Sequence, residues 1–278
     1  MNRKPQNKQP IAEDGQNFFR EVEVEFLVHE LKDPISIVET CVRALLERRE
    51  KYGALSSSQE KILKRALRGT RKARGMVYNM LEIGRSEAGY FDCGCFHPAA
   101  IAYEVLLEAL EVTPGNISER CRECEGENEV LQLLSDSGIF LDISPRLVQT
   151  EAYQDETKFR HILGNLIKNA LHHRKARVEI RMDQADNSLL IEVTDDGPGI
   201  DSKYRETIFR RYAQIQGNEC RILQRKGHGL GLAGALILTR CLGGNIELNS
   251  KKGKGATFRL ILPVTFKEAV SPDTTRRL

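Results

Sequence analysis

The chain has 278 residues, 40% hydrophobic and 29% charged, with a formal charge of +3. That balance belongs to a soluble globular protein of one large or two ordinary domains. Lys and Arg interleaved with nearly as many Asp and Glu exclude a nucleic-acid partner at this level, and no apolar run reaches the roughly 20 residues of a membrane helix.

The polar N-terminus MNRKPQNKQP lacks the apolar stretch of a secretory signal, so a cytoplasmic protein is expected. Its odd number of cysteines, seven, then fits reduced thiols better than a disulfide framework. Residues 1–14 read as a flexible tail. Leu27, Leu31, Ile35, Val38, Val42 and Leu45 recur at steps of three, four and seven, which predicts one long helix over 15–50. The stretch KYGALSSSQE supplies a turn and serines able to cap a second helix, whose stripe is Leu63, Ala66, Thr70, Ala73, Val77, Met80 and Gly84. Two helices with one apolar stripe each cannot enclose a core. A second copy completing a four-helix bundle about a two-fold axis, a homodimer, is the expected resolution.

Beyond residue 90 the texture changes. IFLDIS, ARVEIRM, SLLIEVTDD, NIELNS and ATFRLILPV read as strands, and PAAIAYEVLLEAL, DETKFRHILGNLIKNALHH and GLAGALILTRCL as helices. The expected fold class is therefore α+β in two domains: a helical hairpin over 15–90, then a sheet with helices packed on it over 91–266, with a polar tail at 267–278.

Three stretches of the second domain carry chemistry. Asn165 and Asn169 are four apart, so both amides leave one helix face, where their oxygens suit Mg²⁺ and their NH₂ groups suit phosphate oxygens. In VTDDGPGI a strand ends in acid, followed by Gly197 and Gly199, which permit a tight turn and the close approach of a flat ligand. A carboxylate there can accept a hydrogen bond from the exocyclic amine of adenine. In KGHGLGLAGALILTRCL, Gly227, Gly229 and Gly231 precede a helix and aim backbone N–H groups at phosphates. Any one of the three fits ordinary turn chemistry; the ordered set does not.

The sequence resembles the sensor histidine kinases of two-component signalling over about residues 17–265. FLVHELKDP resembles that family's H-box, NLIKNA its N-box, DDGPGI its G1 box, IFRRY its F-box and GHGLGL its G2 box. MLEIGRSEAG and SKKGKGATFRLILP resemble the end of its second dimerisation helix and its final hairpin. The resemblance implies a dimerisation and phosphotransfer hairpin followed by a Bergerat-type α/β-sandwich ATPase domain. It implies ATP and Mg²⁺ as ligands, with Asp195 holding adenine and Asn169, helped by Asn165, binding Mg²⁺ and phosphate. Gly227, His228, Gly229, Leu230 and Gly231 would close the lid over the phosphates. It also implies a response regulator receiver domain as partner. No sensor module is evident, so the input is expected from a separate sensor protein or from the cysteine-bearing segment.

Within this frame His29 is the expected nucleophile. It lies about 200° around the helix from Leu27, away from the bundle seam. A neutral imidazole attacks well near neutral pH, and Glu30 beside it can orient the ring and accept its N–H proton. Pro34 leaves the carbonyl of Glu30 without a helical partner and is expected to bend the helix near the nucleophile.

Some positions depart from the family's pattern. Asp33 stands where Thr or Asn is usual, His172 where Lys is common, and Gln214 where an Arg often reaches the phosphates; Arg210, Arg211, Arg221 or Arg225 could replace it. A non-catalytic dimeric scaffold that binds nucleotide or a receiver is the alternative function. His173 is expected to be a packing residue. Cys93 with Cys95, and Cys121 with Cys124, form two close pairs that either converge on zinc or a redox centre or stay ordinary thiols. Cys41 and Cys241 are expected in the core.

Overall fold

The computed structural model describes residues 14–111, 117–205, 207–209, 213–216, 219–222 and 231–266, with backbone alone for 14–29, 213–216 and 219–222. The chain divides after Gly89 into two units.

In the first unit α1 (Asp14–Glu47), a short α2 (Arg49–Tyr52) and α3 (Ser57–Glu87) form a helical hairpin. The first helix stops short of the expected residue 50, because Arg48 leaves helical geometry at φ −98°, ψ 59°. Pro34 lies inside α1, and the helix continues on both sides of it. A capping box starts α3: the Gln59 N–H donates to Ser56 Oγ and the Ser56 N–H to Gln59 Oε1. Glu39 ties the helices together. Its carboxylate is 3% exposed and lies 2.8 Å from Arg43, 2.7 Å from Arg74 and 3.6 Å from Arg71. A buried carboxylate persists only where cations compensate its lost hydration, and two of these three come from α3. Val42, Val77 and Ile83 are buried, yet Leu31, Ile37, Val38, Ile62 and Met80 stay largely exposed. Cys41, expected in the core, is also exposed. One hairpin has no third helix to cover that side.

The second unit runs β1 (Cys93–Phe96), α4 (Pro98–Leu110), α5 (Ile117–Glu123), α6 (Glu127–Asp136), β2 (Ile139–Ile143), α7 (Pro145–Val148), β3 (Ala152–Asp155) and α8 (Glu156–His173). It continues with β4 (Val178–Ala185), β5 (Ser188–Asp195), two 3₁₀ turns, β6 (Ala213–Gln216), β7 (Glu219–Ile222), α9 (Gly231–Cys241), β8 (Asn245–Ser250) and β9 (Ala256–Pro263). Five strands make one sheet in the order β2-β4-β5-β9-β8, with β2 parallel to β4 and the other pairs antiparallel. Side chains alternate across it. Ile180, Ile191, Val193, Phe258 and Leu260 are buried, as are Phe159, Ile162, Leu166 and Ile167 of α8 and Leu106 and Leu110 of α4. The intervening strand positions carry polar pairs, Glu192 with Arg259 and Thr194 with Thr257, so one face takes the helices and the other takes water.

The α+β architecture in two parts agrees with the expectation from periodicity. The β1–β3 ladder and the β6–β7 hairpin do not appear in that reading. Four-residue strands such as CGCF are too short to display a period. Cys241 is half-buried at the end of α9.

Candidate functional site

The site builds outward from the end of β5. Asp195, its last residue, is 4% exposed, and its Oδ1 accepts the Gly197 N–H at 2.8 Å. A Cβ on Gly197 would come within 2.4 Å of the His173 carbonyl and 2.6 Å of that same Oδ1. Only glycine lets the chain pass between them. Burial pushes the Asp195 carboxyl up, while hydrogen bonds from the Gly197 and Ala256 backbone pull the other way and the neighbouring Asp196 adds to the rise.

Asp196 has a different occupation. It accepts the backbone N–H groups of Lys175 at 2.8 Å and Ala176 at 3.0 Å, bracing the turn between α8 and β4. Burial acts upward on it, but the N–H groups of Arg177, Lys175 and Ala176 hold its carboxyl below the usual range. Of two adjacent acids, one supports the backbone and the other retains acceptor capacity beside the glycine turn.

The turn is locked from β8. Ser250 Oγ accepts the Ile200 N–H at 2.8 Å and donates to the Gly255 carbonyl at 2.7 Å. Gly199 and Gly255 both have positive φ, +64° and +78°. A Cβ on Gly255 would stand 1.9 Å from the Asp195 carbonyl. Gly255→Ala therefore both strains its own backbone and displaces the end of β5. We expect it to lower stability by more than about 2 kcal/mol and to weaken adenine-nucleotide binding with it, read by thermal unfolding and calorimetry.

Asn165 and Asn169 lie on α8. The Nδ2 of Asn165 is buried without a hydrogen-bond partner, and a Cβ on Gly231, the first residue of α9, would lie 3.4 Å from its Oδ1. A buried amide donor left unpaired is costly, so it signals an absent acceptor. Asn169, half-buried, is one turn further along the same face. His173, whose carbonyl abuts Gly197, follows a turn later. Its ring meets His172 edge-on at the surface and so is not a packing residue. From Asn165 to His173 the helix spans about 12 Å, with the start of α9 at one end and Asp195 at the other.

His161, one turn before Asn165, escaped the sequence reading. Burial, with Lys168 nearby, lowers its pKa to about 4, so it offers a neutral imidazole at physiological pH. Ser250 and the Lys175 and Ala176 amides were also missed. They act through hydrogen bonds to backbone, which no residue pattern announces.

Gly227, His228, Gly229 and Leu230 lie outside the described residues, as do Arg210, Arg211 and Arg225; Gln214 and Arg221 are described in backbone only. His29 is in α1 with its side chain outside the description, and Glu30 is exposed. Cys93 and Cys95 sit on β1, Cys121 is buried in α5, and Cys124 follows that helix. Among the described residues no group of three or more His, Cys, Asp or Glu is arranged to hold a metal ion, so the two cysteine pairs do not converge on a zinc site. Burial pushes both the Cys121 and Cys124 thiols up, which disfavours reactive thiolate.

Residues 154–265 match the family of histidine kinase-, DNA gyrase B- and HSP90-like ATPases. Over 251 residues, 88% of this chain, it is 27% identical to the adaptive-response sensory kinase SasA of a Synechococcus species. It is 32% identical over 152 residues, 52% of this chain, to the autoinducer 2 sensor kinase/phosphatase LuxQ of Vibrio parahaemolyticus. The likeness is to sensor histidine kinases with a Bergerat-type ATPase domain. This chain spans 60% of the length of that SasA and 18% of that LuxQ. Its fold is that of full-length ShkA, solved in complex with AMPPNP, at a TM-score of 0.61 and 24% identity over 91% of this chain and 47% of that one. Acinetobacter baumannii AdeS gives a TM-score of 0.51 at 19% identity, covering 85% of this chain and 98% of the other. No described helix is long and apolar enough to cross a membrane.

Proposed function

We propose that the chain is an ATP-dependent protein histidine kinase that phosphorylates His29 and passes the phosphoryl group to an aspartate of a separate response regulator. The observation that carries this reading is the unpartnered Asn165 Nδ2 beside the first residue of α9. A buried donor at a helix start is suited to a phosphate oxygen. The buried Asp195 carboxylate, at the far end of the same run of α8, is suited to the amine of adenine.

The residues fit Mg²⁺–ATP. Asn169 offers a hard amide oxygen to Mg²⁺, which would supply charge neutralisation on the phosphates. In the transfer, one ring nitrogen of His29 attacks the γ-phosphorus, the bond from that phosphorus to the β,γ-bridging oxygen breaks, and ADP leaves. Glu30 accepts the proton from the other ring nitrogen. The hairpin of residues 15–90 serves dimerisation and phosphotransfer, and residues 91–266 serve ATP. Exposed Leu31, Ile37, Val38, Ile62 and Met80 support a homodimer. A cytoplasmic setting and a separate sensor partner complete the proposal.

Incubation with ATP labelled at the γ-phosphate tests it. An acid-labile, base-stable label is phosphohistidine. Intact nucleotide binding with no label would favour the non-catalytic scaffold, a reading supported by His172 and Gln214 at positions where the family prefers cations.

Asp33 bears on the hydrolysis of the phosphorylated partner. It is exposed on α1, four residues after His29. In the related kinases a Thr or Asn there is implicated in positioning the water that hydrolyses the partner's phospho-aspartate. An ionised carboxylate is an acceptor only and brings negative charge toward an anionic acyl phosphate. Phosphatase activity is expected to be weak and to rise at least severalfold in Asp33→Asn or Asp33→Thr. The decay of a phosphorylated receiver with ADP measures it, and slower decay with Asp33→Asn would reverse the assignment.

A further inference from the structure

Cys121 lies in the last turns of α5, and Cys124 is the residue that follows its end. Three residues of helical rise place Cα atoms about 5 Å apart, inside the roughly 4.4–6.8 Å that a disulfide bridges. The Cys124 thiol donates to the Arg120 carbonyl at 3.2 Å, so its sulfur turns back over the turn that carries Cys121. Burial first, and then the neighbouring Cys124, push the Cys121 thiol up, as two adjacent acidic groups do. Cys93 and Cys95 differ. Two residues along a strand set their Cβ atoms about 6.7 Å apart, beyond the roughly 4.5 Å of a bridge.

Access to the pair is one-sided. Cys121 is 2% exposed, whereas Cys124 is half-buried and lines a groove of about 420 Å³ between α5 and α6. That volume falls within the range of small-molecule pockets, about 300–1,000 Å³. The groove is acidic, with Glu123, Glu129 and Asp136 set against Arg120 alone. After burial, the Glu129 carboxylate is the next cause that pushes the Cys124 thiol up, so negative charge stands close to this sulfur. A cation brought into the groove offsets that charge and lowers the cost of forming the thiolate.

We propose that Cys121 and Cys124 form a thiol–disulfide exchange site for small disulfides that carry ammonium groups, entered through Cys124 and closed by Cys121. The Cys124 thiol gives its proton to solvent and its sulfur attacks one sulfur of the small disulfide. That S–S bond breaks, and one aminothiol leaves as a thiolate that solvent protonates. The Cys121 thiolate then attacks the Cys124 sulfur and expels the second aminothiol in the same way. The two protein thiols lose two electrons in all, and the small disulfide is reduced to two thiols. An anionic disulfide, such as that of glutathione, meets the same carboxylates as repulsion. The inference stands apart from the kinase reading, since no step of it uses His29 or the ATPase site.

The test exposes the full chain at low salt to cystamine or, separately, to glutathione disulfide. Remaining thiols are then blocked, and the peptides are mapped by mass spectrometry. Each rate at the pair is divided by that of the exposed Cys95 in the same sample, which removes the intrinsic reactivity of the reagent. A Cys121–Cys124 linkage, about 2 Da lighter than the dithiol, is expected, with a normalised rate at least about tenfold higher for cystamine. Salt should shrink that preference, and Glu129→Gln should reduce it at least about threefold. Cys121→Ser should trap the aminothiol on Cys124, and Cys124→Ser should leave Cys121 unmodified. Absence of the linkage, equal normalised rates for the two disulfides, a preference unchanged in Glu129→Gln, or Cys121 modified at the parent rate in Cys124→Ser overturns the proposal.

Discussion

His29→Gln abolishes incorporation of the γ-phosphoryl label while nucleotide affinity stays within about twofold of the unaltered chain. Glutamine preserves polarity and helix propensity in α1 but has no lone pair fit to attack phosphorus. Loss of the nucleophile itself is expected to cost at least about 10⁴-fold in rate, and any remainder belongs to other acceptors. Nucleotide binding is expected to be spared because the residues suited to adenine and phosphate, Asp195 and Asn165, belong to the second unit. Gel autoradiography with calorimetry on the same preparation separates the outcomes. Label persisting on another residue would remove His29 from its role, and loss of affinity would point to misfolding instead.

Asp195→Asn produces the converse result, with adenine-nucleotide affinity falling about 10- to 100-fold. The amide presents a weaker acceptor and a donor where the exocyclic amine of adenine also donates. Nucleotide-free stability should move the other way. Burial raises the Asp195 pKa, so ionisation costs stability, and that cost is fully present above the raised value. At neutral pH the neutral amide, whose oxygen can still accept the Gly197 N–H, should leave the thermal midpoint unchanged or higher. The same sign governs pH dependence. Nucleotide affinity of the unaltered chain should decline as pH falls through the raised Asp195 pKa, beginning at a higher pH than for an exposed aspartate. The variant should lack that component. A variant that binds ATP normally, or one that unfolds before the parent, contradicts this role.

The gain in stability and the loss of binding share one cause. A carboxylate kept at 4% exposure is poorly hydrated, and a ligand that donates to it restores a partner. Asn165 presents the complementary case, a donor that lacks an acceptor.

Local periodicity alone determined the helical hairpin, α4, α8, α9 and the five strands of the main sheet. Each of these elements repeats its apolar positions within its own length, so the signal is contained in neighbouring residues. The asparagine pair and the glycine-flanked acids were equally legible, because their spacing is local. Tertiary structure alone decided what depended on residues far apart. The amides of Lys175 and Ala176 took Asp196 and left Asp195 beside Gly197, a choice made across 20 residues of chain. Glu39, an ordinary helical acid in sequence, became a buried anchor through arginines on α3. Cys41 reads as core in the helical pattern but faces outward, since burial depends on which helices pack against that side. The cysteine pairs look like a metal set in spacing, yet β1 and α5 do not bring them together, because convergence follows from sheet and helix packing and leaves no mark in either short segment.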